Sequence, residues 1–385
     1  MKLAQRMSRL GTETAFEVLA KARQLESDGN NIIHLEIGEP DFDTPANIVQ
    51  KGILALEQGY THYGPTPGLM EVRNRIANEV SRTRGIPVLA ENVVITPGAK
   101  PIMFFAILAL IDDGDEVLYP NPGFPIYESM IRFVGGIPIP MKLLPSRDFN
   151  VDIDEISSQI TSKTKLMIIN SPNNPCGSVI DRRQLKELAD LAKKNHIMVL
   201  SDEIYSQFLY EGKHHSISSF DGMSDQTIIL DGFSKTYAMT GWRIGYGVMP
   251  IELVEPISRL STNSVSCTAS FTQMAVMEAM DGPQDDVIDM VAEFKTRRDV
   301  IVNGLNKIPG INCPMPKGAF YAFPSIEGTG LTSSEFADRL LYEGGVACLA
   351  GESFGEYGNG CVRFSFANSM DNLRIALERI ESFVV

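Results

Sequence analysis

The middle of the chain carries six short, continuous apolar runs: Val93-Val94-Ile95, Val117-Leu118-Tyr119, Leu166-Met167-Ile168-Ile169, Ile197-Met198-Val199-Leu200, Ile228-Ile229-Leu230 and Ile244-Gly245-Tyr246-Gly247-Val248. Stretches of helical periodicity lie between them, for example 98–111, 124–133 and 181–194. Strands that alternate with crossover helices build a parallel sheet, and hydrophobicity that is continuous rather than alternating requires both sheet faces to be covered. The pattern therefore predicts an α/β fold whose central sheet is mostly parallel, with helices on both faces.

Downstream, residues 284–307 place Val287, Val291, Phe294, Ile301 and Leu305 on one helical stripe. A helix of that length spans roughly 36 Å, enough to leave one folding unit and enter another. Short strand candidates follow at 319–323, 346–349 and 362–366, with helical patterns at 333–342 and 370–383, which reads as a smaller α+β unit. The expected division is an N-terminal arm that packs with the small unit (1–43), a large unit (44–286) and a small C-terminal unit (287–385). A length of 385 residues fits two or three such units at about 150 residues each.

A formal charge of -14 opposes both a phosphate backbone and an anionic bilayer, so nucleic acid and membrane are poor partners. The N-terminus lacks the apolar stretch of a leader, and no window of about 18 apolar residues occurs, so a cytoplasmic protein is expected. Cys176, Cys267, Cys313, Cys348 and Cys361 show no CxxC pair and no metal-ligand spacing, which fits reduced, mostly buried thiols. No metal site is expected. His214-His215 reads as a solvated loop.

In an open parallel sheet, ligands bind beyond the carboxyl ends of the strands. The residues that follow the runs are Thr96-Pro97-Gly98-Ala99-Lys100, Asn121-Pro122-Gly123-Phe124, Asn170 to Pro175, Ser201-Asp202-Glu203-Ile204-Tyr205 and Asp231-Gly232-Phe233-Ser234-Lys235. They offer a helix N-terminus, an aromatic ring, amides, a carboxylate with a phenol, and a lysine. That inventory suits a planar, phosphorylated, electron-accepting cofactor. The helix start at Gly98 and Arg243 serve a phosphate, Asp202 a heteroaromatic nitrogen, Phe124 a ring face and Lys235 an imine.

The stretch Ser234-Lys235-Thr236-Tyr237-Ala238-Met239-Thr240-Gly241-Trp242-Arg243-Ile244-Gly245-Tyr246 resembles the lysine signature of the class I and II aminotransferases, pyridoxal-phosphate enzymes of fold type I, with aspartate aminotransferase as the nearest type. The likeness extends to Gly38-Glu39-Pro40-Asp41-Phe42, Tyr60 to Tyr63, Asn170 to Gly177, Ser201 to Tyr205, Pro316 to Phe323 and Arg363 to Ala367. It implies a transferase that moves an amino group between an L-amino acid and a 2-oxo acid through a Lys235 aldimine with pyridoxal 5'-phosphate. Lys235 would also shuttle the α-proton, Asp202 would keep the pyridine nitrogen protonated, and Asn174 and Tyr205 would hydrogen-bond the phenolic oxygen. Phe124 would cover the ring, where many relatives carry Trp or Tyr. The phosphate would sit on Gly98, Ala99, Lys100, Ser234 and Arg243. Relatives commonly place hydroxyl side chains where this chain has Ala99, Lys100 and Gly232.

The resemblance further implies that Arg363 clamps the substrate α-carboxylate beside Gly38 and Asn174, and that Tyr63 reaches the neighbouring subunit's phosphate in a homodimer. In some relatives a lysine at the position of Lys100 helps bind a dicarboxylate side chain, which points to 2-oxoglutarate as the acceptor. Glu352, where relatives usually carry a small residue, is a candidate specificity position.

Other readings are weaker. Gly351-Glu352-Ser353-Phe354-Gly355 fits the GxSxG string of a hydrolase, but all five histidines precede Ser353, and that elbow needs a helix after it. No G-x-G-x-x-G string marks a nicotinamide site. On the same scaffold a lyase, decarboxylase or oxidase is the alternative, because lysine, aspartate and arginine serve all these reactions alike. A non-catalytic cofactor-binding regulator would need an added effector or DNA-binding region.

Overall fold

In the computed structural model, which describes residues 2–385, the six apolar runs form six strands of a seven-stranded sheet. In chain order the strands are β1 (Ile33–His34), β2 (Val93–Thr96), β3 (Glu116–Asn121), β4 (Ile137–Lys142), β5 (Thr164–Asn170), β6 (Met198–Asp202), β7 (Thr227–Gly232), β8 (Gly245–Val248), β9 (Tyr321–Ala322), β10 (Val346–Ala347), β11 (Leu349–Ala350) and β12 (Val362–Ser365). The large sheet has the order β2-β8-β7-β6-β5-β3-β4. Its pairings are parallel from β7 through β6, β5 and β3 to β4, whereas β8 runs antiparallel to both β2 and β7.

Along β5, Leu166 and Ile168 enter one apolar cluster while Met167 and Ile169 enter another. Successive side chains point to opposite faces of a strand, so both faces are covered, as the unbroken hydrophobic runs require. β4 was not expected. Its sequence, Ile-Pro-Ile-Pro-Met-Lys, holds two prolines, which cannot donate to a ladder, and it is accommodated at the sheet edge with β3 as its one neighbour.

The long helix is Asp285–Leu305. Phe294, Ile301 and Leu305 on it pack in one cluster with Tyr321, Val362 and Phe364 of the smaller sheet, whose order is β11-β12-β9 with antiparallel pairings. β1 pairs in parallel with β10, which ties the N-terminal segment to the C-terminal part. The segment after β1 is held by Arg297 on the long helix, whose Nη1 donates to Asp41 at 2.6 Å and whose guanidinium lies 5.0 Å from the Phe42 ring centre. Among the described residues, the five cysteines are free and no helix is long and apolar enough to cross a membrane.

Candidate active site

A cavity of about 580 Å³ opens at the carboxyl ends of the parallel strands, between the large sheet and the segments that carry Gly38, Tyr321 and Arg363. Strand register sets its floor. Asn170 and Asp202, the last residues of β5 and β6, are paired neighbours. β7 ends one strand further on, and the chain continues to Ser234 and Lys235. Because β8 is antiparallel, its start rather than its end lies at this edge, with Gly245 opposite both Thr96 and Gly232. Arg243 therefore arrives beside the start of the helix Lys100–Leu110.

Asp202 is buried, and its two oxygens accept from the Tyr127 hydroxyl at 2.6 Å and the Ile204 N–H at 3.2 Å. Burial pushes its pKa up to about 6, although both donors favour the carboxylate. The Lys235 Nζ donates to the Gly38 carbonyl at 2.6 Å. Burial, reinforced by Arg363 and Arg243, brings its pKa down to about 8 despite the opposing charge of Glu39. The cavity thus holds an amine and a carboxyl group whose pKa values are both brought towards neutrality.

Asn170 links strand to loop: its Nδ2 donates to the Asp202 carbonyl at 3.2 Å, and its Oδ1 accepts from the Asn174 N–H at 2.8 Å. Asn174 Oδ1 in turn accepts from Arg363 Nη1 at 3.0 Å. Arg363 also donates from Nη2 to the Glu36 carbonyl, while its Nε is buried without a partner among the described residues. Burial lowers its pKa, and it forms no ion pair among the described residues. A buried guanidinium with neutral partners and a vacant donor is built to receive an anion.

The phenols of Tyr205 and Tyr321 share a hydrogen bond of 2.7 Å, and burial raises the pKa of both. Gly38 is required beside them, since a Cβ there would fall 2.1 Å from the Tyr321 hydroxyl oxygen. Gly98 has a φ of +86°, and a Cβ on it would fall 2.3 Å from Arg243 Nη2. That contact packs the guanidinium against the loop preceding Lys100, where the first helical N–H groups have no partner inside the helix.

Of the residues expected at the site, Gly38, Ala99, Lys100, Phe124, Asn174, Asp202, Tyr205, Ser234, Lys235, Arg243 and Arg363 line the cavity. Gly98 touches it through Arg243. Tyr63 does not line it and is 91% exposed. The Lys100 ammonium, expected at the phosphate or at a dicarboxylate side chain, bonds the Glu13 carboxylate and lies 5.2 Å from the Phe124 ring centre. Glu352 lines a smaller neighbouring cavity and accepts from Ser334, away from the main chamber.

His214 corrects the expectation of a solvated loop. Its Nε2 shares a 2.9 Å hydrogen bond with Glu203, which also accepts from Arg84 Nε at 2.9 Å, while Arg84 Nη2 donates to Asp231 at 2.6 Å. Burial alone would raise the Glu203 pKa, but His214 and Arg84 hold it at about 2. This network adjoins the floor, since Glu203 follows Asp202 in sequence and Asp231 lies on β7.

Tyr127, Tyr321 and Glu13 have no role in the sequence-based reading of the site, and Asn170 enters it only as one of the amides after β5. Tyr127 follows Phe124 by three residues, the spacing that puts two side chains on one helical face, and this was the available signal. Tyr321 lay inside the Pro316 to Phe323 stretch without an assigned role. Glu13 gave no signal, because it meets Lys100 across 87 residues of sequence.

Comparison with known proteins matches residues 30–380 to the family of aminotransferases class I and II. An aspartate aminotransferase of Pyrococcus abyssi is 40% identical over 91% of this chain and 91% of its own length. Aromatic-amino-acid aminotransferase 2 of Thermococcus litoralis is 37% identical over 99% of this chain and 98% of its own. The solved aspartate aminotransferase of Thermus thermophilus with maleate superposes with a TM-score of 0.95 at 35% identity, covering 100% of both chains.

Proposed function

The chain belongs to the class I and II aminotransferases, which use pyridoxal 5'-phosphate to move amino groups, and on that premise we propose that its cavity binds this cofactor between Asp202, Lys235 and Arg243 and exchanges an amino acid with 2-oxoglutarate. The carrying observation is that Lys235, whose pKa burial brings down to about 8, and a buried Asp202 line one cavity at the ends of neighbouring parts of one sheet. The residues fit the group on independent grounds. The space at Gly98 that a Cβ would fill receives Arg243 beside a helix N-terminus, and the vacant Nε of Arg363 remains for a substrate carboxylate.

When bound, the cofactor supplies an aldehyde to carry the amino group and a protonated ring to absorb the electron pair left at the substrate α-carbon. Asp202 would hold a proton on the ring nitrogen, and the Tyr127 hydroxyl favours and orients its carboxylate. Phe124, with Tyr127 packed edge-on at 5.7 Å, would cover the ring. Asn174 and Tyr205 donate to the phenolic oxygen. Gly98, Ala99, Ser234 and Arg243 hold the phosphate. Arg363 binds the substrate α-carboxylate and fixes the α-hydrogen towards Lys235, whose neutral Nζ takes the proton and returns it.

A homodimer belongs to the same reading. Tyr63 is exposed together with Ile53, Leu54 and Leu56 of the helix Ala46–Glu57, and a second copy that covers this face would bring Tyr63 to the partner's phosphate.

The test is a half-reaction. Single amino acids added to the loaded protein should convert its absorbance to that of the aminated cofactor, and 2-oxoglutarate should restore it. Bleaching without recovery, with release of ammonia, would assign a lyase instead. Sedimentation should give twice the chain mass; a monomer with full cofactor affinity would refute the shared site.

A further inference from the structure

Four cationic side chains line the cavity: Lys100, Lys235, Arg243 and Arg363. In the proposed reaction three of them are engaged, since Lys235 moves protons, Arg243 holds the phosphate and Arg363 takes the substrate α-carboxylate. Lys100 is left. It begins the helix Lys100–Leu110 at the cavity mouth with its side chain 47% exposed, and its ammonium is already bonded to Glu13. Glu13 also lines the cavity, with a side chain 20% exposed. It comes from the stretch before the helix Ala15–Ser27, which is anchored where the Gly11 N–H donates to Ser129 Oγ at 2.9 Å.

We infer that Glu13 is a specificity-determining residue: a carboxylate of the chain itself that occupies Lys100, the one lining cation left for the second carboxylate of a dicarboxylic substrate. The inference rests on the aminotransferase reading and deepens it. A substrate such as aspartate or 2-oxoglutarate, anchored by its α-carboxylate on Arg363, presents its second charge to a lysine that must first leave Glu13, and it then meets Glu13 as a like charge. An uncharged side chain makes no such demand. It leaves the pair closed and finds Phe16, Ile37 and Phe354 among the lining residues. Glu13 thus tilts selection towards uncharged and aromatic donors while dicarboxylates still bind in competition with it. The reacting atoms are untouched.

The test uses the loaded enzyme as wild type, Glu13→Gln, Lys100→Met and the double variant. Two quantities are read: the calorimetric dissociation constant of maleate, a dicarboxylate that cannot donate an amino group, and the ratio of half-reaction kcat/KM for aspartate over phenylalanine. Glu13→Gln should tighten maleate and raise the ratio by up to about fivefold, the upper end for a part-exposed ion pair. Lys100→Met should weaken maleate, and the gain should vanish in the double variant. Unchanged or weaker maleate binding in Glu13→Gln, or a gain that survives in the Lys100→Met background, would overturn the inference. Because maleate binding needs no turnover, a wild type that converts no amino acid would sink the aminotransferase reading while this arm still reports on Glu13.

Discussion

Replacing Tyr127 by Phe removes one hydroxyl from the floor of the site and leaves the ring that packs against Phe124. That hydroxyl is fully buried and donates to Asp202 at 2.6 Å, which favours the carboxylate over the acid. A hydrogen bond to a charged group is worth about 1.5–3 kcal/mol, and about 1.4 kcal/mol corresponds to one pKa unit, so its loss should raise the Asp202 pKa by about 1–2 units. The sign is upward, in the direction in which burial already drives this group and in which Asp231 and Glu203 push it. In the proposed reaction, only an ionised Asp202 can hold the cofactor's ring nitrogen protonated. The acid limb of kcat/KM should therefore move to higher pH by about 1–2 units, while rates above the limb approach those of the wild type. The assay is a pH–rate profile of both proteins with one amino acid and 2-oxoglutarate, with the bound cofactor spectrum followed over the same range. Coincident acid limbs would refute the reasoning, because they would mean that the hydroxyl does not govern the ionisation of Asp202.

Arg84→Met should cost about 3–5 kcal/mol in urea denaturation, since it leaves Glu203 and Asp231 buried without their shared cation; a loss near zero would mean the network contributes nothing. Gly38→Ala should destabilise by about 1–3 kcal/mol through its clash with the Tyr321 hydroxyl, and Tyr321→Phe in the same chain should recover part of the loss. The rate at which the cofactor-free protein takes up pyridoxal phosphate should rise with pH around a midpoint near 8, where Lys235 loses its proton; a midpoint near the ordinary lysine value would contradict that environment. The same shift means that folding stability from this group increases as pH climbs from about 8 towards 10.5, because the unfolded chain then binds the extra proton.

Much of the large sheet was legible because its strands are buried on both faces, so that Leu166 to Ile169 or Ile228 to Leu230 could not read as anything solvent-facing. Polar residues placed directly after such runs then fell at one edge, which is why Asn174, Asp202 and Lys235 converge as their positions implied. What stayed hidden depended on long-range pairing or on exceptions to local rules. The prolines at 138 and 140 disguised β4, whose edge position tolerates them. The direction of β8 could not be read from its composition, yet it decides how Arg243 reaches the start of the helix Lys100–Leu110. His214 looked like a loop residue because Glu203 and Arg84, its companions in the buried network, are distant in sequence or carry charges that ordinarily face water. The partner of Lys100 could not be read from the sequence, since only the fold brings Glu13 across the cavity mouth to hold it.

The central claim is that one amine, that of Lys235, carries the cofactor opposite Asp202. Borohydride reduction of the loaded protein, followed by proteolysis and mass mapping, addresses it directly. The account predicts a single phosphopyridoxyl label, on Lys235 within the peptide that contains Ser234 and Thr236; a label on another lysine, or none, would contradict it.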